Sequence, residues 1–303
     1  MFKIKAWVSA ARLRTLPLSV SGILVGSACA YPFFSENSLF VTIFLLSLLT
    51  TLLLQILSNF ANDYGDGVKG TDNADRIGPQ RAVQSGVLSG TEMKKGVIIT
   101  AVLALLSACL LIYISFGKDK FGTSLIYLLL GIACVVAAIK YTVGKNAYGY
   151  RGLGDLFVFI FFGLVSVLGC FYLYGQVISL WVLLPAVAIG SLSIAVLNIN
   201  NMRDLNADKK VGKNTLAVKL GKKGAKQYHY FIIIVALLSL IVYALHADFK
   251  ISQYFFILAY IPLVKHLIFV KNNHEPRELD SQMKVVALST FLLSILFSLA
   301  LLI

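Results

Sequence analysis

Residues 37–66 read NSLFVTIFLLSLLTTLLLQILSNFANDYGD, and this stretch decides the fold. Positions 37–62 carry no charge, which is longer than the roughly 20 residues an α-helix needs to cross a bilayer. The run ends in Asn59, Asp63 and Asp66, spaced i, i+4 and i+7. If the helix continues through them, all three lie on one face. Carboxylates beside hydrocarbon cost about 2.5–3.5 kcal/mol each at a helix centre, so their default reading is functional. A second stretch repeats the pattern: Asn200-Asn-Met-Arg-Asp204-Leu-Asn-Ala-Asp208 ends another long apolar run, with Asn200, Asp204 and Asp208 at i, i+4 and i+8. Two oxygen-rich faces at matching membrane depth suit hard divalent cations. Mg²⁺ takes a few carboxylates and lets substrate phosphates complete its shell.

Working outward, the chain is 58% hydrophobic and 14% charged, against about 25% charged for a soluble domain. Uncharged stretches at 15–35, 37–62, 96–117, 121–139, 156–202, 227–247, 251–264 and 285–303 count the spans. The longest holds two helices with a turn near Gly175-Gln176. The 251–264 stretch spans only if it extends past Lys265 and His266 toward Val270. The expectation is an all-α polytopic membrane protein, a nine-helix bundle forming a single domain over 1–303. Ala28-Cys-Ala30 resembles a leader cleavage site, but the first run has full spanning length and is expected to be retained.

Basic residues set the orientation. With the N-terminus inside, segments 1–14, 60–95, 140–155, 201–226 and 265–284 hold 24 of the 27 Lys and Arg. Only Lys118, Lys120 and Lys250 fall on the other side. The N-terminus is therefore expected in the cytoplasm and the C-terminus outside. The same rule accounts for the net charge of +13, so no nucleic-acid partner is expected. The four cysteines lie in apolar runs without metal-ligand spacing and read as packing residues.

The segments around the acidic motifs are rich in bases. Lys69, Arg76 and Arg81 follow the first motif and could contact the outer oxygens of a diphosphate. Arg203, Lys209 and Lys213 surround the second. Neither segment matches the Gly-rich phosphate loop ending in Lys-Ser/Thr. The motifs recur 141 residues and four helices apart, at the ends of the second and sixth helices. Asp155, after Gly-Leu-Gly154, opens the fifth helix, where an N-cap is its simplest reading. The four histidines show no paired spacing.

Asn59-x-x-x-Asp63-x-x-Asp66 with Asn200-x-x-x-Asp204-x-x-x-Asp208 resembles the two aspartate-rich signatures of UbiA-type intramembrane aromatic prenyltransferases. Further pieces are similar to the branch that uses 1,4-dihydroxy-2-naphthoate in menaquinone biosynthesis. They are Ala10-Ala-Arg12-Leu-Arg-Thr15-Leu-Pro17, Gly70-x-Asp72 running into Arg76-x-Gly-Pro-x-Arg81, Tyr150-Arg-Gly-Leu-Gly-Asp155, and Gly212-Lys-Asn-Thr-Leu-Ala-Val. The resemblance spans residues 6 to about 221 and itself implies nine helices.

It also implies a chemistry. Asp63, Asp66, Asp204 and Asp208 would bind two Mg²⁺ ions bridging a polyprenyl diphosphate, assisted by Asn59 and Asn200. The allylic cation left by pyrophosphate would be attacked by an electron-rich aromatic acceptor. Tyr64, Tyr141, Tyr148 and Tyr150 offer ring faces to such a cation. Tyr141 and Lys145 are candidates to touch substrate, and an acidic residue at Asp155 would also face the polar head group. The implied place is the inner (plasma) membrane, within membrane lipid, with the site at the cytoplasmic side. Another acceptor such as 4-hydroxybenzoate is the nearest alternative. A cation-coupled transporter is the rival from another class, opposed by motifs at one membrane face rather than the midplane.

Overall fold

Inside a bilayer each backbone N–H and C=O must be satisfied within its own segment, so long apolar runs become helices. The computed structural model describes residues 2–70 and 80–303, and contains no strand among them. Nine helices among the described residues are long and apolar enough to cross a membrane. They are α1 (Lys3–Phe34), α2 (Phe40–Lys69), α3 (Gly90–Phe116), α4 (Phe121–Lys140), α5 (Gly154–Gly175), α6 (Leu180–Lys210), α7 (Leu216–His246), α8 (Ile251–Asn272) and α9 (Pro276–Leu302). The 156–202 stretch divides as expected, with Gln176 in a left-handed turn (φ 56°). Helix α8 does extend past Lys265 and His266, opening as a 3₁₀ turn over Ile251–Ala259.

The connections are shorter than the charge pattern suggested. Helix α2 runs on to Lys69 and stops where Gly70 adopts φ 69°, and α6 runs on to Lys210. Both acidic motifs are therefore helical throughout and keep their shared faces. Helix α3 starts with a capping box, in which the Ser89 hydroxyl accepts from the Glu92 N–H and Glu92 accepts from the Ser89 N–H.

Helices α1 and α6 occupy the middle. Helix α1 packs on α2, α5 and α9, and α6 on α5, α7 and α9. Small residues permit the close approaches, as expected where lipid supplies no hydrophobic drive between helices. A Cβ on Gly26 would lie 2.5 Å from the Val167 carbonyl, and one on Gly163 would lie 2.8 Å from the Gly190 Cα. The larger apolar core joins Ile189 and Leu192 of α6 to Phe256 of α8 and Phe297 of α9. A smaller one joins Leu57 and Phe60 of α2 to Met93 and Val97 of α3, which fixes the end of α2 that carries its carboxylates.

Helices α4 and α5 hardly touch. Helix α4 leans on α2 and α3, and α5 on α1 and α6. The Tyr127 hydroxyl bridges them by donating to the Gly169 carbonyl (3.0 Å). Between them lies a cavity of about 320 Å³ with mostly apolar walls. One face of α2 lines it at Ser47, Thr51, Leu54, Ser58 and Asn62. At a rise of 1.5 Å per residue that face is about 22 Å long. The cavity thus runs from mid-membrane to the turn that bears Asp63.

Candidate active site

The two acidic helix ends meet at the mouth of this cavity. Asp66 of α2 is buried and receives two charge-assisted or polar bonds: Arg81 Nη1 donates to Oδ2 (2.6 Å) and the Tyr150 hydroxyl to Oδ1 (2.7 Å). Asp208 of α6, 5% exposed, faces the Lys213 ammonium at 3.4 Å. The Lys213 and Lys69 ammoniums lie 5.6 and 4.1 Å from the centre of the Tyr150 ring. Tyr150 therefore joins the first motif to the second through one ring and one hydroxyl. Its backbone also accepts from the Asn214 N–H (3.0 Å), tying the α4–α5 connection to the α6–α7 turn.

Local chemistry explains these placements. Gly212 (φ 72°) turns the chain after α6, and Thr215 caps α7 by accepting from the Val218 N–H. Between these two devices Lys213 is held back over Asp208. Lys69 donates to the Thr142 carbonyl (2.6 Å), and the Thr142 hydroxyl donates to the Ala61 carbonyl (3.0 Å). The α4–α5 connection is thereby fastened to α2. It carries Tyr141, which lines the cavity, and Tyr148, whose ring stacks on Phe157 (4.0 Å) and meets Tyr141 edge-on (5.4 Å). Removal from water raises the Tyr141 phenol above its ordinary pKa, and the charges of Asp155, Asp66 and Asp208 raise it further. The hydroxyl stays protonated and available as a donor. Three aromatic rings thus frame the passage between the carboxylates and the apolar cavity.

The other expected site residues fall in three groups. Some make structural bonds. Asp63 accepts from the N–H groups of Ala82 and Val83 (both 3.1 Å), holding in place the segment that carries Arg81. Asn59 donates to the Ala11 carbonyl (2.8 Å) and the Thr15 hydroxyl (3.2 Å), anchoring the broken start of α1. Arg203, 2% exposed, grips Asp204 through Nε (2.9 Å) and Nη2 (2.6 Å), and reaches Asn200 (2.9 Å) and Asp280 of α9 (2.5 Å). Others are exposed: Lys209 on the last turn of α6 and Lys145 on the α4–α5 connection. Arg76, with Asp72 and Asp75, lies outside the described residues.

Sequence reasoning counted Tyr150 and Lys213 only as one aromatic and one base among several. Their bridging position shows up in no spacing, and Thr142 gave no signal at all. Asp155 is not an N-cap: Leu153 occupies that position, and no side-chain cap bond forms.

Among the described residues no three acidic, His or Cys side chains already form a metal cluster. Mg²⁺ does not require one, because one or two carboxylates plus phosphate oxygens suffice. The donor set fits. Asp208 Oδ2 is buried without a hydrogen-bond partner, and Asp66 is neutralised by bases that an arriving phosphate would draw toward itself.

Known proteins resemble this chain in sequence and in helix arrangement. The UbiA prenyltransferase family matches residues 19–301. The 1,4-dihydroxy-2-naphthoate octaprenyltransferase of Haemophilus influenzae is 44% identical, covering 99% of this chain and 97% of its own. The Escherichia coli protein of the same name is 41% identical over 97% of this chain and 94% of its own. A UbiA homolog from Archaeoglobus fulgidus bound to DMAPP and Mg²⁺ superposes with a TM-score of 0.61 at 16% identity, covering 97% of this chain and 99% of that one. At that identity the likeness speaks for the fold alone. Matched along nearly its whole length in sequence and in helix arrangement, the chain belongs to the UbiA prenyltransferase family.

Proposed function

We propose that this chain transfers a polyprenyl group from polyprenyl diphosphate to 1,4-dihydroxy-2-naphthoate, releasing pyrophosphate and CO₂ and giving demethylmenaquinone. The observation that carries the reading is the meeting of two acidic helix ends, each backed by bases, over an apolar cavity framed by Tyr141, Tyr148 and Phe157. A diphosphate belongs to the charged side of that passage and an isoprenoid tail to the apolar side. The identities of 44% and 41% to proteins named for the naphthoate reaction support the choice of acceptor.

In this reading Asp66 and Asp208 are the principal carboxylates for Mg²⁺, with Asp63 and Asp204 contributing as they exchange their present partners. Bound there, Mg²⁺ would offset the charge that develops on the departing diphosphate. Arg81, Lys69 and Lys213 bind the outer phosphate oxygens. Preorganised cations of this kind stabilise a leaving group without reorganisation at the moment of reaction. The Tyr141 and Tyr148 ring faces lie beside the allylic carbon and exclude water from it.

The test is product analysis. Purified protein with Mg²⁺, one prenyl diphosphate and a mixture of aromatic acceptors is expected to yield prenylated, decarboxylated naphthoate and stoichiometric pyrophosphate, read by mass spectrometry. Preference for 4-hydroxybenzoate would overturn the acceptor, and no pyrophosphate release would overturn the enzyme class.

In the same reading the site faces the cytoplasm at the inner membrane, as the basic residues beside both acidic motifs favour. A reporter fused after Ile303 is expected outside the cytoplasm, and one inserted at 211–214 inside, because an odd number of spans and 24 of 27 basic residues on one side favour that orientation. Finding both on one side would show that a span, first of all α8, does not cross.

A further inference from the structure

Phe157, Phe161, Val165, Gly169 and Leu173 of α5 line the cavity at a constant spacing of four residues. An α-helix completes a turn in 3.6 residues, so a four-residue repeat drifts by about 40° per step and by about 160° over this stretch. Regular α winding would therefore carry Leu173 nearly to the opposite side of α5 from Phe157. The drift is taken up because Phe159–Gly169 is wound as a π-helix. Its hydrogen bonds close at i→i+5, each turn takes in more residues, and the repeat stays on one face. The looser winding gives the cavity one straight wall. Such winding is rare and frequently marks functional sites.

The wall has a measurable length. Tyr141 lines the mouth and Tyr127 the far end, 14 residues away along α4. At 1.5 Å per residue that is about 21 Å. An isoprene unit adds four bonds to a chain and extends about 5 Å, taking the 3.8 Å that three backbone bonds span as a guide. About four units therefore reach Tyr127. At that depth the Tyr127 ring meets Phe116 of α3 edge-on (4.9 Å) and stacks on Tyr172 of α5 (5.7 Å), so a straight path stops against three rings. Sideways there is less in the way. Helices α4 and α5 share few contacts, and only 11% and 28% of their apolar windows are buried, so the seam between them faces lipid. The Tyr127 hydroxyl spans that seam to the Gly169 carbonyl (3.0 Å), at the end of the π-wound wall.

Resting on the prenyl-transfer reading above, we propose that Tyr127 is the residue that gauges donor length. Tails of up to about four isoprene units end inside the cavity. Longer tails pass into the bilayer between α4 and α5, which parts Tyr127 from Gly169. The energy of that one hydrogen bond is then charged to long donors and not to short ones.

The experiment uses the full chain in phospholipid vesicles, which give a long tail a bilayer to enter. Donors of two, four and eight isoprene units are compared at saturating 1,4-dihydroxy-2-naphthoate. Tyr127→Phe keeps the ring contacts and removes only the hydroxyl. It should raise the ratio of kcat/KM for the eight-unit donor to that for the four-unit donor by about two- to tenfold, the scale of one hydrogen bond. Gly131→Leu tests the path. Gly131 lines the cavity one turn nearer the mouth than Tyr127, and a Cβ there would make only an ordinary contact with Ala108 (3.6 Å). Its added side chain should narrow the bore about 15 Å from Tyr141, between the reach of two units and of four. The four-unit to two-unit ratio should fall by about tenfold or more, as overfilling a packed space does. If Gly131→Leu fails to fold, Tyr127→Phe carries the test alone. An unchanged or lower eight-to-four ratio in Tyr127→Phe, or an unchanged four-to-two ratio in folded Gly131→Leu, would overturn the assignment and leave prenyl transfer standing. A wild type that transfers no prenyl group from any of the three donors would overturn the underlying reading instead.

Discussion

Asp66→Asn and Asp208→Asn are each expected to lower kcat/KM by about 10²–10³-fold, the scale for removing one preorganised electrostatic group from a transition state. The reason is their position. Asp66 holds Arg81 and Tyr150, and Asp208 offers a buried oxygen that nothing else satisfies. Both lie where the two helix ends meet, so in the proposed function each substitution removes a charge that the metal and the diphosphate would share. Stability should respond differently from activity. Asp208→Asn takes away a poorly paired buried charge and should leave Tm near that of the wild type. Asp63→Asn is the informative contrast. Asp63 accepts two backbone N–H bonds, and an asparagine there would turn an NH₂ group toward one of those donors. That mismatch costs about 1–3 kcal/mol and loosens the segment bearing Arg81, so activity and Tm should fall together. Turnover, Mg²⁺ titration and thermal melting on the same samples separate the cases. Turnover within about threefold of wild type for either Asp66→Asn or Asp208→Asn would sink the proposed division of roles.

The largest stability effect should come from Arg203→Met. Arg203 is buried in α6 and binds Asp204 with two nitrogens while reaching Asn200 and, on α9, Asp280. Removing it leaves Asp204 buried without its cation, at a cost of about 3–5 kcal/mol. Asp280 suffers less, since its side chain is 33% exposed and can turn toward water. The double variant Arg203→Met/Asp204→Leu replaces a buried pair with apolar groups of similar bulk and should recover much of the lost Tm. It should not recover activity, because the second motif then lacks a carboxylate. A single variant that melts like the wild type would show that the Arg203 cross-tie contributes no stability. Full activity in the double variant would remove Asp204 from the site.

The two predictions differ in what the sequence could supply. Asp63, Asp66, Asp204 and Asp208 stood out as candidates because the i, i+4, i+7 and i, i+4, i+8 spacings put each set on one helix face, and because charge at the end of an apolar run is costly enough to need a reason. The nine spans were legible on equally general grounds, down to the break at Gly175 and the extension of α8 past Lys265.

Which of those carboxylates would be gripped by bases, and by which bases, was not legible. Tyr150 reaches Asp66 across 84 residues, Arg203 reaches Asp280 across 77, and His229 and His266, which had no spacing in common, share a buried hydrogen bond of 2.8 Å across 37. Asp155 looked like a cap because it stands at a helix start, yet Leu153 holds the cap position and no side-chain cap bond forms. Periodicity reports which residues share a face of their own helix, and a transfer cost reports that a polar group needs company. Neither contains the rotation of one helix against another or the path of the connections. Those follow from side-chain packing between elements, such as the close approach of α5 to α6 at Gly163 and Gly190. The sequence by itself therefore determined the bundle and singled out the candidate carboxylates at its acidic end, whereas only the packed helices decided which oxygen meets which cation.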